Sequence, residues 1–250
     1  MNNAIQTISL VNLALTFIPV AVVVFIIWKW QLDYKTSVYA VFRMLVQLLL
    51  IGYFLNYIFE SDNAWIVVAV LAVMLFSSSW IALRTLSAHR KVLYMKAFWS
   101  ILMGGGLVLI LVTQGVLNLE PWFLPSYMIP LAGMIFASAM NSVSLAGERL
   151  EAELTHDMPY AQARKVALQA SLIPITNSLF AVGLVSLPGM MTGQILAGIA
   201  PMEAVKYQLL IMFLIAGGTA LGVVGAVLGG ARLLTDKRHR LRLDRLTAVE

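Results

Sequence analysis

Residues 166–202 read VALQASLIPITNSLFAVGLVSLPGMMTGQILAGIAPM, 37 positions without a formal charge. As one straight helix this run would extend roughly 56 Å, at 1.5 Å per residue. The hydrocarbon core of a bilayer is only about 30 Å thick. The run therefore cannot be one straight membrane helix, and Pro188-Gly189 supplies a place to break it. Proline removes a backbone donor and clashes with the preceding turn. The run is read in parts: an amphipathic start near Val166, a span from about Leu168 to Leu187, and a break at Pro188-Gly189. A short helix or re-entrant piece over 190–202 then lies at the outer face. Backbone groups freed by such a break must find partners away from lipid. The break is expected to face the protein interior or the outer surface.

Working outward, further uncharged runs mark spans at 1–28, about 37–58 (with one charge, Arg43), 63–83, 97–119, about 125–147 and 207–231. Seven crossings result. Met1-Asn2-Asn3 lacks the basic start of a cleavable signal. The cations sort by side. Lys29, Lys35, Arg84, Arg90, Lys91, Lys96, Arg149, Arg164, Lys165 and a basic tail over 233–250 share one set of connections. The other set holds Lys206 with the acids Glu60, Asp62, Glu120 and Glu203. The positive side is cytoplasmic, so the N-terminus is expected outside and the C-terminus inside. An even number of crossings would put the basic tail outside.

The composition agrees, with 60% hydrophobic and 12% charged residues, far from a soluble domain. With no cysteine, disulfides, thiolate metal sites and Cys nucleophiles are excluded. His89, His156 and His239 are scattered through connections and tail, which argues against a histidine metal cluster. The net charge of +5 comes from cations flanking apolar runs, a membrane pattern rather than a nucleic-acid surface. There is no GxxxxGK[ST] loop, HExxH or GxSxG, so this chain does not hydrolyse ATP by itself.

A few polar features lie within the spans. Arg43 is about two turns into the second span with Gln47 at i+4 on the same face. Arg43 either snorkels to the cytoplasmic interface or partners a buried polar group. The fourth span carries Gly104-Gly105-Gly106, and the seventh carries Gly218, Gly222, Gly225 and Gly229. These are small-xxx-small patterns that allow close helix approach. Methionines at 128, 134, 140, 190 and 191 read as adaptable gap-fillers, or as soft thioethers of the kind that favour Cu(I).

The longest internal connection, GERLEAELTHDMPYAQARKVALQ over 147–169, has two helix-forming flanks around a turn at Thr155–Pro159. Asp157 or Thr155 is placed to cap the second helix, with Pro159 near its first turn. It is either a solvated hairpin or a docking element for a soluble partner.

Several stretches together resemble the FetB-type permeases, membrane subunits of iron-export ABC transporters, a family that includes plant aluminium-resistance permeases. They are Arg43-x3-Gln47-Leu48 through Gly52-Tyr53 and Tyr57-Ile58-Phe59; Ile129-Pro130-x-Ala132-Gly133-Met134-Ile135; Gly183-Leu184-Val185-Ser186-Leu187-Pro188-Gly189-Met190-Met191-x-Gly193; Ala197-Gly198-Ile199-x-Pro201; and Lys206-Tyr207-Gln208. The resemblance covers essentially the whole chain. There are two departures. Ala137-Ser138 stands where the family has Gly-Asn before Ala-Met, and His156–Tyr160 replaces the family's Leu-Gly-Ala-Thr-Pro.

The resemblance implies an all-α, multi-pass permease domain over 1–250 in the cytoplasmic (inner) membrane, working as a homodimer in lipid. A separate cytoplasmic ATPase subunit would use ATP, no cofactor would be bound by this chain, and the cargo would be metal, with iron favoured. The coupling segment falls at 148–165, with Glu148, Arg149, Glu153, Asp157, Met158 and Pro159 as the expected ATPase contacts. Arg43, Gln47, Met134, Ser138, Met140 and Asn141 are candidates for the substrate path. Pro188, Gly189, Met190 and Met191 form the expected outer hinge or gate. Two other readings compete. A self-sufficient secondary transporter would carry intramembrane acids or a two-half repeat. A seven-helix receptor or pigment would carry a lysine deep in its last span. Neither feature is in the sequence.

Overall fold

The computed structural model describes residues 9–86, 90–156 and 158–234. Regular structure among these residues is entirely helical. This is the expected outcome for apolar runs in lipid, where a helix satisfies its own backbone groups. The chain divides into two compact units.

The first unit comprises the residues up to Asp62 together with Leu196–Gly198. It contains α1 (Leu10–Leu15), α2 (Phe17–Lys29) and α3 (Tyr34–Phe59). Asp33 starts α3 by accepting a hydrogen bond from the Thr36 amide at 3.1 Å, the usual solution for an orphan first-turn donor. Neither α2 nor α3 buries a residue within the chain.

The second unit comprises Asn63–Ile195 and the chain from Ile199 onward. Asn63 starts α4 (Ala64–Ala82) by accepting from the Trp65 amide at 2.9 Å. After α5 (Arg90–Ile101) the helix passes through a π-helical turn at Leu102–Gly106, α6 (Leu107–Ile110) and a second π-helical turn at Leu111–Val116. Pro125, whose fixed φ suits a first turn, begins α7 (Pro125–Thr155). Then come α8 (Tyr160–Ala181), α9 (Gly189–Leu196) and α10 (Pro201–Leu234).

Helix α7 is the centre of this unit, packing on α4, α8 and α10, while α10 also packs on α5. Small residues let the backbones approach. A Cβ on Gly104 would lie 2.8 Å from the Gly222 Cα and closer still to its nitrogen. One on Gly218 would lie 2.8 Å from Cγ2 of the fully buried Ile135. The glycine patterns are therefore helix-crossing points. The buried hydroxyls of Ser79 and Thr113 donate back to the carbonyls of Leu75 and Leu109, at 2.8 and 2.9 Å, which removes their polarity from the apolar interior.

Among the described residues, six helical stretches are long and apolar enough to cross a membrane: Val11–Lys29, Tyr34–Phe59, Ala64–Ala82, Arg90–Val116, Pro125–Thr155 and Pro201–Gly229. The remaining expected crossing, the sixth at about 168–187, corresponds to α8, which is not among them. Its 22 residues reach roughly 33 Å at 1.5 Å per residue, but the first six belong to the 148–165 segment. Arg164, Lys165, Gln169 and Asn177 dilute its apolarity.

The break is where the structure corrects the sequence reading. The helix begins at Tyr160 and ends at Ala181, six residues before the expected stop at Leu187. Gly183, at φ +83°, turns the chain through a conformation that glycine adopts without Cβ strain. Pro188-Gly189 is not the breakpoint but the entry to α9, and the Pro188 carbonyl accepts from the Thr192 amide at 3.0 Å. The broken backbone satisfies itself. The amides of Leu184, Val185 and Ser186 all point to the Ala181 carbonyl, at 3.2, 2.8 and 3.2 Å, and the Gly183 amide donates to Ser186 at 3.0 Å. The final span also starts earlier than 207, at Pro201.

Candidate functional site

A cavity of about 750 Å³ opens within the second unit, walled by α7, α8, the turn after α8, and α10. From α7 come Ser138, Asn141, Ser142 and Leu145, the i, i+3, i+4, i+7 spacing of one helix face. From α8 come Pro174, Ile175, Ser178 and Ala181; the turn adds Ser186, Leu187 and Pro188; and α10 adds Met212 and Ile215. Proline inside α8 cannot donate to the preceding turn. The Pro174 carbonyl in turn accepts from the Ser178 hydroxyl at 3.0 Å.

The wall is largely apolar, with a few uncharged polar groups set into it. The Thr219 hydroxyl donates to Ser138 Oγ at 2.9 Å, which ties α10 to α7 and leaves the Ser138 O–H available to donate. Ser142 is only 4% exposed, lines the cavity and makes no hydrogen bond among the described residues. Asn141 presents an amide that can both donate and accept.

Of the substrate-path candidates, Ser138 and Asn141 are brought together here, along with Pro188 from the outer-hinge set. Met134 and Met140 are half-buried on α7 and do not line the cavity. Met140 lies two residues from Ser138, about 200° around the helix. Arg43 and Gln47 are exposed on α3 in the first unit. Gly189, Met190 and Met191 lie in the first turn of α9, outside the cavity wall. Ser142, Ser178 and Met212 escaped the sequence reading. Ser142 could have been found as the i+4 neighbour of Ser138, but nothing local distinguishes Ser178 or Met212 from packing residues.

The segment 148–165 is a helical hairpin made by the last turns of α7 and the first of α8. It has its own apolar core, in which Leu150, Leu154, Ala163 and Ala167 are buried and Met158 and Tyr160 pack against them. Glu153 is 9% exposed and pairs with Arg149 at 2.6 Å, one turn apart. Its backbone carbonyl accepts from the Met158 amide at 3.1 Å. Glu153 and Met158 thus help hold the hairpin in shape, whereas Glu148 and Pro159 are exposed. Asp157 lies outside the described residues. Thr155 does not cap α8; its hydroxyl donates to the Glu151 carbonyl at 2.8 Å, and Pro159 occupies the cap position. The Tyr160 hydroxyl reaches the Val227 carbonyl of α10 at 3.4 Å. Burial pushes the Tyr160 phenol above its ordinary pKa, with Arg164 opposing.

The chain matches the model of a family described as Uncharacterised protein family (UPF0014), over residues 10–163 and 154–234. A UPF0014 membrane protein of Synechocystis is 42% identical over 69% of this chain and 73% of its own length. The Probable iron export permease protein FetB of Escherichia coli is 31% identical over 94% of this chain and 95% of its own. Protein ALUMINUM SENSITIVE 3 of Arabidopsis thaliana is 31% identical over 82% of each chain. No solved structure matches.

Proposed function

Since this chain belongs to the UPF0014 family of membrane proteins, we propose that it is the membrane-spanning permease subunit of an ABC transporter. In this reading it exports metal, with iron favoured, across the cytoplasmic membrane. A separate ATPase subunit on the cytoplasmic face uses ATP, and two permease copies form the transport unit. The printed name of the Escherichia coli relative supports the transport and metal parts.

One observation carries the mechanism. The two helices that make the hairpin are also two walls of the cavity: α7 holds both Glu153 and Asn141, and α8 holds both Tyr160 and Ser178. Glu153 and Asn141 lie roughly 18 Å apart along α7 at 1.5 Å per residue. A rigid hairpin gripped by an ATPase would carry its motion along both helices to the cavity. The hairpin's own apolar core keeps it from bending instead. The exposed Glu148 and Pro159 are the contacts offered to the ATPase, with Arg149, Glu153 and Met158 holding them in place. At the other end, the turn through Gly183 to Pro188 serves as the outer gate. Its apolar tip, with Leu184 90% exposed, is free to shift because its backbone bonds are internal.

The test is co-purification with the partner ATPase, reconstitution in proteoliposomes, and measurement of ATP hydrolysis and ATP-dependent iron movement. The expected result is a stable complex whose hydrolysis rises with metal. Failure to form a complex, with transport that follows an ion gradient instead, would overturn the proposal.

A further inference from the structure

The cavity wall also bears on the form in which cargo is carried, an inference that rests on the permease reading above. We propose that the cavity takes metal as an organic, oxygen-rich complex of low net charge, such as a hydroxycarboxylate chelate. The wall groups would hydrogen-bond the outer oxygens of the chelate and leave the metal in its own ligand shell.

Ligand chemistry is the first argument. Hard cations stripped of water are held by several oxygens, including carboxylates, and transition metals by imidazole or sulfur. The wall provides serine hydroxyls, the Asn141 amide and the Met212 thioether. One thioether and a set of neutral hydroxyls cannot replace the hydration shell of a multivalent ion. Those same groups are suited to the carboxylate and hydroxyl oxygens of a chelate. With neither acid nor base in the wall, a complex near neutrality costs least to enter.

Size points the same way. A metal ion with six waters, at about 30 Å³ each, fills roughly 180 Å³. The cavity is about 750 Å³, within the range of small-molecule sites, about 300–1,000 Å³.

The third argument is the hydrogen-bond inventory. Ser142 lines the cavity, and its hydroxyl makes no hydrogen bond among the described residues, which leaves it open to a ligand oxygen. Ser138, accepting from Thr219, keeps its own O–H for the ligand. Ser138, Asn141 and Ser142 thus form a donor set on one face of α7. Ser178 and Ser186 contribute hydroxyl oxygens from other parts of the wall.

The test uses the full chain with its ATPase in nanodiscs and radioactive iron in equilibrium dialysis. Three probes are compared: ferric citrate, ferrous sulfate alone, and citrate alone as competitor. Saturable binding is expected for ferric citrate and not for ferrous ion. Ser142→Ala and Asn141→Leu should each weaken it about tenfold, the effect of one lost hydrogen bond of ordinary strength. Ser142→Ala should leave the melting temperature unchanged, because its hydroxyl bonds no other described residue; a purely structural serine would lower it. Equal binding of ferrous ion alone, or unaltered ferric citrate binding in both variants, overturns the inference. The permease reading survives either result if ATP-driven iron movement persists. Absence of both binding and ATP-driven movement in every form overturns the two together.

Discussion

The crossing of Gly104 and Gly222 makes an asymmetric prediction. Replacing Gly104 by alanine places a methyl 2.8 Å from the Gly222 Cα and 2.9 Å from the Leu221 carbonyl carbon. Both are backbone atoms of a long helix, so no side chain can rotate away and α10 itself must move. Overpacking of this kind costs about 1–3 kcal/mol. The reverse change meets no such wall. A Cβ on Gly222 would find Ala139 Cβ at 3.5 Å and the Ser100 carbonyl oxygen at 3.7 Å, which are ordinary contacts. Gly→Ala within a helix contributes about 0.5–1 kcal/mol of stability by itself. Gly104→Ala should therefore lower the melting temperature in detergent by roughly 2–12 °C, at about 2–4 °C per kcal/mol for a chain of this size. Gly222→Ala should match or exceed the wild type. The assay is thermal unfolding followed by tryptophan fluorescence, with size-exclusion profiles checking that both variants remain monodisperse. Gly104→Ala melting at or above wild type, or the two variants losing stability equally, would refute the close-approach argument.

Other elements give further tests. Arg149→Ala should cost about 1–3 kcal/mol by leaving the buried Glu153 carboxylate unpaired, seen as faster proteolysis between α7 and α8. Adding Glu153→Leu should restore most of the loss, and no recovery would count against the pair. Tyr160→Phe keeps the packing on the hairpin core and loses a long hydrogen bond, so its cost stays below about 1 kcal/mol. Tyr160→Ala should cost about 2–4 kcal/mol, read in the same melting assay. Arg90 donates to the Trp80 carbonyl from Nη2 at 2.7 Å and Nε at 3.2 Å, with its guanidinium 3.7 Å from the Trp80 ring centroid. Arg90→Lys cannot reproduce the fork or the stacking and should lose about 1 kcal/mol, with a shift in tryptophan emission; unchanged emission and melting would contradict the contact.

Much of the membrane architecture was legible because lipid punishes unpaired backbone and charge so strongly. Uncharged runs had to be helices, and the apolar helix at 64–82 lies close to its run, while the one at 125–155 continues eight residues past the expected 147. The family was legible too, from blocks such as Gly183–Gly193. Glycine spacing announced close helix approach, and only the fold named the partners, since Gly104 and Gly222 are far apart in sequence. The end of α8 was misplaced for a local reason. Proline looked like the strongest breaker, yet Pro188 serves at a helix start, where a missing donor does no harm, and the turn is made at Gly183 instead.

Composition and hydropathy by themselves determined that this protein is all-helical, with several helices long and apolar enough to cross a membrane. They also marked 148–165 as the longest connection between its spans. Those properties depend on transfer of each residue between water and lipid, which is additive along the chain. Which polar residues share one cavity was decided only by tertiary packing. Ser138, Asn141 and Ser142 gain their meaning from Ser178 on α8 and Met212 on α10, and that convergence depends on helix crossings and rotations set by side-chain shape.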